Sequence, residues 1–219
     1  MKLGGKMMDI IQLEHISKRF AHKILFNDVI LRISEGTIVG FKGANGCGKS
    51  VLFKIISGLY RPDSGDVYVR GKKIGDDFDY PPDMGIFINA PGFIPVYSGF
   101  KNLKCLADIR GKIDSEKICA AMDKVGLNPN DKTPVKNYSL GMKQKLGIAQ
   151  AFMEDQSILL LDEPFNALDQ ESHLQMLDCL KELCNTGKTI LITSHNADDL
   201  DILCNTTYLI QNSKILPAK

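Results

Sequence analysis

Gly43-Ala44-Asn45-Gly46-Cys47-Gly48-Lys49-Ser50 follows a short apolar run, Thr37-Ile38-Val39-Gly40-Phe41, and precedes Val51-Leu52-Phe53-Lys54-Ile55-Ile56. The first run reads as a buried strand and the last as the opening turns of a helix. A strand, a glycine-rich loop closing on Gly-Lys-Ser, and a helix form the setting in which backbone N–H groups cradle a polyphosphate. The glycines let those N–H groups turn inward. Lys49 directs a point charge at the β- and γ-phosphates, and the Ser50 hydroxyl can ligate Mg²⁺. The helix N-terminus adds the positive end of its dipole. A glycine-rich turn with an exposed lysine would account for the loop but not for its flanks.

The bulk properties set wide limits. A chain of 219 residues suits one or two domains and buries a core with ease. With 44% apolar and 24% charged residues, it has the make-up of an ordinary globular protein. A formal net charge of +1 gives no electrostatic case for nucleic acid or anionic lipid as the main partner. No apolar run approaches the ~18 residues that a membrane span needs. The start, Met1-Lys2-Leu3-Gly4-Gly5-Lys6, lacks a run of signal-peptide length, so the chain is expected to stay inside the cell, with Met7 or Met8 as an alternative initiator. The six cysteines (47, 105, 119, 179, 184 and 204) are never spaced Cys-x-x-Cys. They read as reduced thiols, neither a disulfide framework nor a zinc site.

Along the chain, Asp9 to Ile16 alternates as a strand, Ser17 to Lys23 reads as a loop, and Ile24 to Ile33 is a second apolar segment. Asp66 to Arg70 and Gly85 to Ile88 are further strands, the latter ending at Asn89-Ala90-Pro91-Gly92. From Gly99 to about Val125 the apolar spacing is helical, as it is again from Met142 to Met153. Ser157 to Leu161 is a continuous apolar run ending on Asp162-Glu163-Pro164, which predicts a central parallel strand. A helix near Glu171 to Cys184, a strand Thr189 to Thr193 ending at Ser194-His195, one more helix and a strand Thr207 to Ile210 complete the pattern.

An acid at the end of a buried strand beside a phosphate loop suits the metal shell, which is the place for Asp162. Glu163 comes next in the chain and is placed to polarise an attacking water. His195, at the next strand end, would by itself be read as structural; near a γ-phosphate it could organise the water. Cys47 sits inside the phosphate loop. Either its thiol reacts ahead of the other five and is shielded by MgATP, or it turns inward and is inert.

Taken together, the phosphate loop, the Asn89 turn, Tyr138-Ser139-Leu140-Gly141-Met142, Asp162-Glu163-Pro164, Asn166-Ala167-Leu168-Asp169 and Ser194-His195 resemble the ATP-binding subunit of an ABC transporter. The resemblance runs from about Ile10 to Ile210. The wording Ser-Leu-Gly-Met-Lys-Gln is similar to the subgroup tied to export of, or immunity to, antimicrobial peptides such as bacitracin and lantibiotics. The resemblance implies an α/β fold: a P-loop NTPase core with a mainly parallel sheet, an N-terminal antiparallel β subdomain and an inserted helical subdomain. It divides the single domain into a core at about 9–90 and 150–219 and a helical signature segment at about 91–149.

It also implies roles. Phe20 would stack on adenine, the other reading being a core phenylalanine. Gly43, Ala44, Asn45, Gly46, Cys47, Gly48, Lys49, Ser50 and Val51 would hold the phosphates of ATP. Ser50, Asp162 and Asn89 would meet Mg²⁺, and Glu163, His195 and Asn89 would serve catalysis. Ser139 and Gly141 would face the γ-phosphate held by an opposite subunit, with the Asn166 to Asp169 loop crossing the dimer. Two subunits, identical or related, would close on ATP and drive a separate transmembrane permease at the inner face of the cell membrane, docked through the apolar stretch Pro91 to Phe100 (or else that stretch packs locally).

Four positions depart from the family pattern. Val51 stands where a threonine hydroxyl usually meets the α-phosphate, Leu140 and Met142 replace Gly and Gln, and Asn89 is one methylene shorter than Gln. Two other readings compete. An ABC-type ATPase acting on nucleic acid or ribosomes would be expected to carry two cassettes or long coiled coils. A nucleotide kinase would not need Ser139, Gly141 or the Asp169 loop.

Overall fold

The computed structural model describes residues 9–89 and 92–218. Met7 and Met8, the alternative initiators, and Ala90 and Pro91 of the loop after Asn89 lie outside the described residues. The chain begins β1 (Asp9–Phe20), β2 (Lys23–Ser34), β3 (Ile38–Lys42), α1 (Lys49–Ile56), β4 (Ser64–Val69), β5 (Lys72–Lys73) and β6 (Met84–Phe87). It continues α2 (Gly99–Arg110), α3 (Ser115–Lys124), α4 (Leu140–Phe152), β7 (Ile158–Asp162) and α5 (Gln170–Asn185). It closes with β8 (Thr189–Thr193), α6 (Ala197–Leu203), β9 (Thr206–Gln211) and β10 (Lys214–Pro217).

Two sheets result, one antiparallel in the order β2-β1-β4-β5 and one in the order β10-β9-β3-β8-β7-β6. In the second, every neighbouring pair is parallel except β10 against β9. Its central strands are apolar through their middle residues because both faces are covered. Leu159, Leu161, Ile190 and Ile192 face the helices α2 to α6. Ile158, Leu160 and Leu191 face the other way, into a core shared with α1 and the antiparallel sheet. There Phe41 meets Phe53 edge-on at 5.8 Å and stacks on Tyr208 at 5.7 Å. Asn27 N donates to Ser213 O at 2.9 Å and Ser213 Oγ to Ile24 O at 2.9 Å, tying the two sheets together.

The elements differ from the sequence expectation at identifiable points. Ser17 to Phe20 is not a loop: β1 runs on to Phe20 and turns through Ala21-His22 alone. Asp63 holds this polar stretch in the sheet, its carboxylate accepting from Arg19 N and Lys18 Nζ at 2.7 Å each. The helical pattern from 99 to 125 is two helices, because Gly111 takes the left-handed conformation that ends α2 and Asp114 caps α3. The helix expected from Met142 begins at Leu140, capped by Ser139, whose Oγ accepts from Met142 N at 3.1 Å. The edge strand β10 has no counterpart in the sequence expectation.

Candidate active site

The carboxyl ends of β3, β7 and β8 lie side by side, and the loops leaving these three strands gather there. In parallel α/β sheets that end is where ligands bind. After β3 comes the phosphate loop. Gly48 caps α1 with φ 116°, and a Cβ there would lie 2.9 Å from the Phe26 ring, so only glycine allows the loop to enter the helix. Lys49 is buried, its Nζ donating to Gly43 O at 2.8 Å and lying 3.9 Å from Glu163 Oε1.

Asp162 ends β7 with both carboxylate oxygens engaged. Ser50 Oγ donates to Oδ2 at 2.5 Å, and Thr193 Oγ1 donates to Oδ1 at 2.7 Å. Thr193, wholly buried and in register with Asp162, also accepts from Glu163 N at 2.8 Å. One hydroxyl thus fixes two neighbouring acids.

Glu163 has φ 52°, an uncommon conformation for a non-glycine residue. The turn swings its carboxylate into the cleft, where Oε2 accepts from His195 N at 3.0 Å. Oε1 is buried and makes no hydrogen bond among the described residues, although His195 Nε2 stands 3.1 Å away without donor alignment. Burial pushes the carboxyl above the ordinary glutamate range, against the pull of the His195 imidazole and the Lys49 ammonium. Its backbone carbonyl accepts from Gln144 Nε2 at 2.7 Å, which links the acid to the signature helix α4.

These groups line a cleft of about 400 Å³. Of the residues singled out from sequence, Phe20, Asn45, Gly46, Gly48, Lys49, Ser50, Val51, Asp162, Glu163 and His195 line it. Phe20 is 43% exposed at its mouth, with Tyr60 at 5.8 Å and Lys18 Nζ 5.3 Å from its ring centre, so it is not a core phenylalanine. Gly43 and Ala44 act through backbone, Gly43 O holding Lys49 and Ala44 O accepting from Cys47 N at 3.2 Å. The Cys47 thiol is half-buried, packed against the core beside Gly43.

Three expected residues lie off this cleft. Asn89 is exposed on the loop after β6, with φ 53°. Ser139 and Gly141 open α4, and a Cβ on Gly141 would come within 2.8 Å of Ala167 O. Glycine is therefore needed there for the signature helix to seat against the Asn166–Asp169 loop. Lys23, Thr193 and Gln144 are the contributors that sequence reasoning missed.

Between Gly92 and Phe100, Phe93 packs on the helical core while Ile94 and Val96 remain 44% and 65% exposed. Asn102 pins the loop, its Oδ1 accepting from Ile94 N at 2.7 Å and its Nδ2 donating to Ser98 O at 3.0 Å. Local packing thus accounts for Phe93 and leaves the loop tip at Val96 exposed. Among the described residues, no helix is long and apolar enough to cross a membrane.

A family model described as ABC transporter matches residues 26–166. YybJ, an uncharacterized ABC transporter ATP-binding protein of Bacillus subtilis (strain 168), is 34% identical over 206 residues, which cover 94% of each chain. SrtF, a lantibiotic transport ATP-binding protein of Streptococcus pyogenes, is 31% identical over 96% of this chain and 90% of its own. A dimeric ATP-binding cassette in a post-hydrolysis state, bound to ADP and Pi, matches with a TM-score of 0.82 over 94% of this chain and 96% of its own. At 22% identity that last likeness is one of fold.

Proposed function

This chain belongs to the ABC transporter family as an ATP-binding subunit that hydrolyses ATP, and from that membership we propose how its residues divide the work. The observation that carries the proposal is the convergence of Ser50, Asp162, Glu163 and His195 around Lys49 at one end of the sheet. Adenine stacks on Phe20. The N–H groups of the loop from Gly43 to Val51 and the Lys49 ammonium hold the phosphates. Ser50 and Asp162 offer a paired hydroxyl and carboxylate, hard oxygen donors of the kind Mg²⁺ takes alongside water and phosphate. When bound, that ion neutralises charge on the phosphate oxygens. Glu163, its basicity raised by burial, takes the proton of the attacking water. His195 steadies Glu163 and contacts the γ-phosphate.

Ser139 and Gly141 lie off their own subunit's cleft, which supports a role on the nucleotide of a second subunit. ATP then favours the closed dimer by its differential affinity for that state, and hydrolysis releases it. Ile94 and Val96 at the exposed loop tip supply an apolar contact for a separate transmembrane permease, which would hold the chain at the inner face of the cell membrane. The lantibiotic relative supports an antimicrobial peptide or drug as cargo. The chain with MgATP alone is expected to release phosphate. If phosphate leaves ATP only when a nucleotide acceptor is added, the kinase reading replaces this one.

Asn89 lies off the cleft of the single subunit, so it would approach the metal and water only when a second subunit closes, and then as a shortened arm. It withdraws its amide by about 1.5 Å, one carbon–carbon bond, from where a glutamine would place it. A catalytic group misplaced by ~1 Å can cost on the order of 10²-fold. Hydrolysis by the isolated subunit is therefore expected to be slow, and Asn89→Gln to raise kcat more than it changes KM for MgATP. Steady-state ATPase assays decide it; a Gln variant no faster than wild type removes Asn89 from the site.

A further inference from the structure

We propose that Lys23 binds the α-phosphate of the nucleotide and so supplies the contact that Val51 cannot make. The inference rests on the cleft being the ATP site. Lys23 opens β2 and is the cross-strand partner of Phe20 across the Ala21-His22 turn. The hairpin therefore fixes the lysine stem beside the aromatic ring at the cleft mouth, and both residues line the cleft. From there the side chain leans over the phosphate loop, and its Nζ donates to Gly46 O at 2.8 Å.

An ammonium carries three donors, so this bond orients the group and leaves two N–H for an acceptor in the cleft. No carboxylate pairs with Lys23 among the described residues. The two acids of the cleft are engaged elsewhere, Asp162 with Ser50 and Thr193, and Glu163 with His195. A cation free of carboxylates at the mouth of a cleft built for a polyanion is placed for phosphate.

The order of groups along the cleft selects which phosphate. Phe20 marks the base end and Lys49 the β- and γ-phosphates, so the α-phosphate lies between them, where Lys23 reaches the loop. Val51, also on the cleft wall, presents only methyl groups there. The side chain of Lys23 is exposed and its removal opens no core, so the fold should survive substitution.

Titration of ATP and of ADP into the Lys23→Met protein tests this. Both affinities are expected to fall about tenfold, as suits one charge-assisted hydrogen bond at an open site. Val51→Thr added to Lys23→Met is expected to recover most of the loss. Unchanged affinity for both nucleotides overturns the assignment. So does a loss confined to ATP, which would put the ammonium on the γ-phosphate. A double variant as weak as Lys23→Met also overturns it, because the two positions then do not share a ligand atom. Lys49→Ala is the control for the site itself: if it binds ATP normally, the cleft reading fails, and not Lys23 alone.

Discussion

Glu163→Gln is expected to bind MgATP, to hydrolyse it ~10²–10⁴-fold more slowly than the wild type, and to accumulate as an ATP-dependent dimer. The amide keeps the size of the carboxylate and can still accept from His195 N, so the turn at Glu163 should hold. What it loses is the capacity to take a proton. The wild-type carboxyl has its pKa raised by burial, which strengthens it as a base near neutrality. That direction sets the sign of the pH dependence. The base works in its deprotonated form, so kcat should fall as pH drops through that raised pKa, and the Gln variant should lack the acid limb. Single-turnover hydrolysis across pH and sedimentation with excess ATP check the two halves. A variant that turns over at the wild-type rate removes Glu163 from the chemistry. One that stays monomeric with ATP bound leaves the face-to-face dimer without support.

Glu163 also shows how the site is wired to the rest of the chain. Its side chain holds the loop of His195, its backbone carbonyl holds Gln144 of α4, and Gly141 of α4 seats against Ala167. Those contacts join, within one subunit, Glu163, the His195 loop, α4 and the Asn166–Asp169 loop.

The residues legible in the sequence were those whose chemistry demands a few consecutive positions. The phosphate loop is such a case, since a strand, three glycines, a lysine and a hydroxyl must succeed one another for the N–H groups to converge. Asp162 and Glu163 were legible because a buried strand has to end before an acid can be solvated. Thr193 was hidden by that same logic. It closes an apolar run as any strand residue might, and only its register with Asp162 shows that its hydroxyl fixes both acids. Lys23 was lost with the hairpin, because Ser17 to Lys23 is polar enough to read as a loop and Asp63, which pins that stretch, lies far along the chain. Gln144 stood in the quoted signature, but its bond to Glu163 O depends on where α4 lies on the sheet. The split between α2 and α3 carried a local signal, Gly111 and then Asp114, that the continuing apolar spacing outweighed. Asn89 marks the reverse case. The motif order assigned it a place, while the geometry of the single subunit leaves it outside the cleft.

Lys49→Ala is expected to cost ATP affinity on the order of 10²-fold or more while the protein stays folded. Among the described residues the ammonium makes one hydrogen bond, to Gly43 O at 2.8 Å, and stands 3.9 Å from Glu163 Oε1 without a closer carboxylate contact. Losing that charge-assisted bond should cost roughly 1.5–3 kcal/mol, a shift of several degrees in Tm for a chain of this size. Phosphate is a different matter. Contacts from the ammonium to two phosphate groups are charge-assisted, each worth about 1.5–3 kcal/mol, and among the described residues no other cation near the loop's inner face replaces them. The nearest substitute, Lys23, is anchored on Gly46 O at the cleft mouth and is proposed for the α-phosphate, not for the β- and γ-phosphates. ADP should weaken as well, since the β-phosphate is shared. Calorimetric titration beside a thermal melt separates the effects: normal ATP affinity in a folded Lys49→Ala protein would sink the phosphate-loop assignment, and a collapsed melting curve would mean that Lys49 serves the core more than the nucleotide.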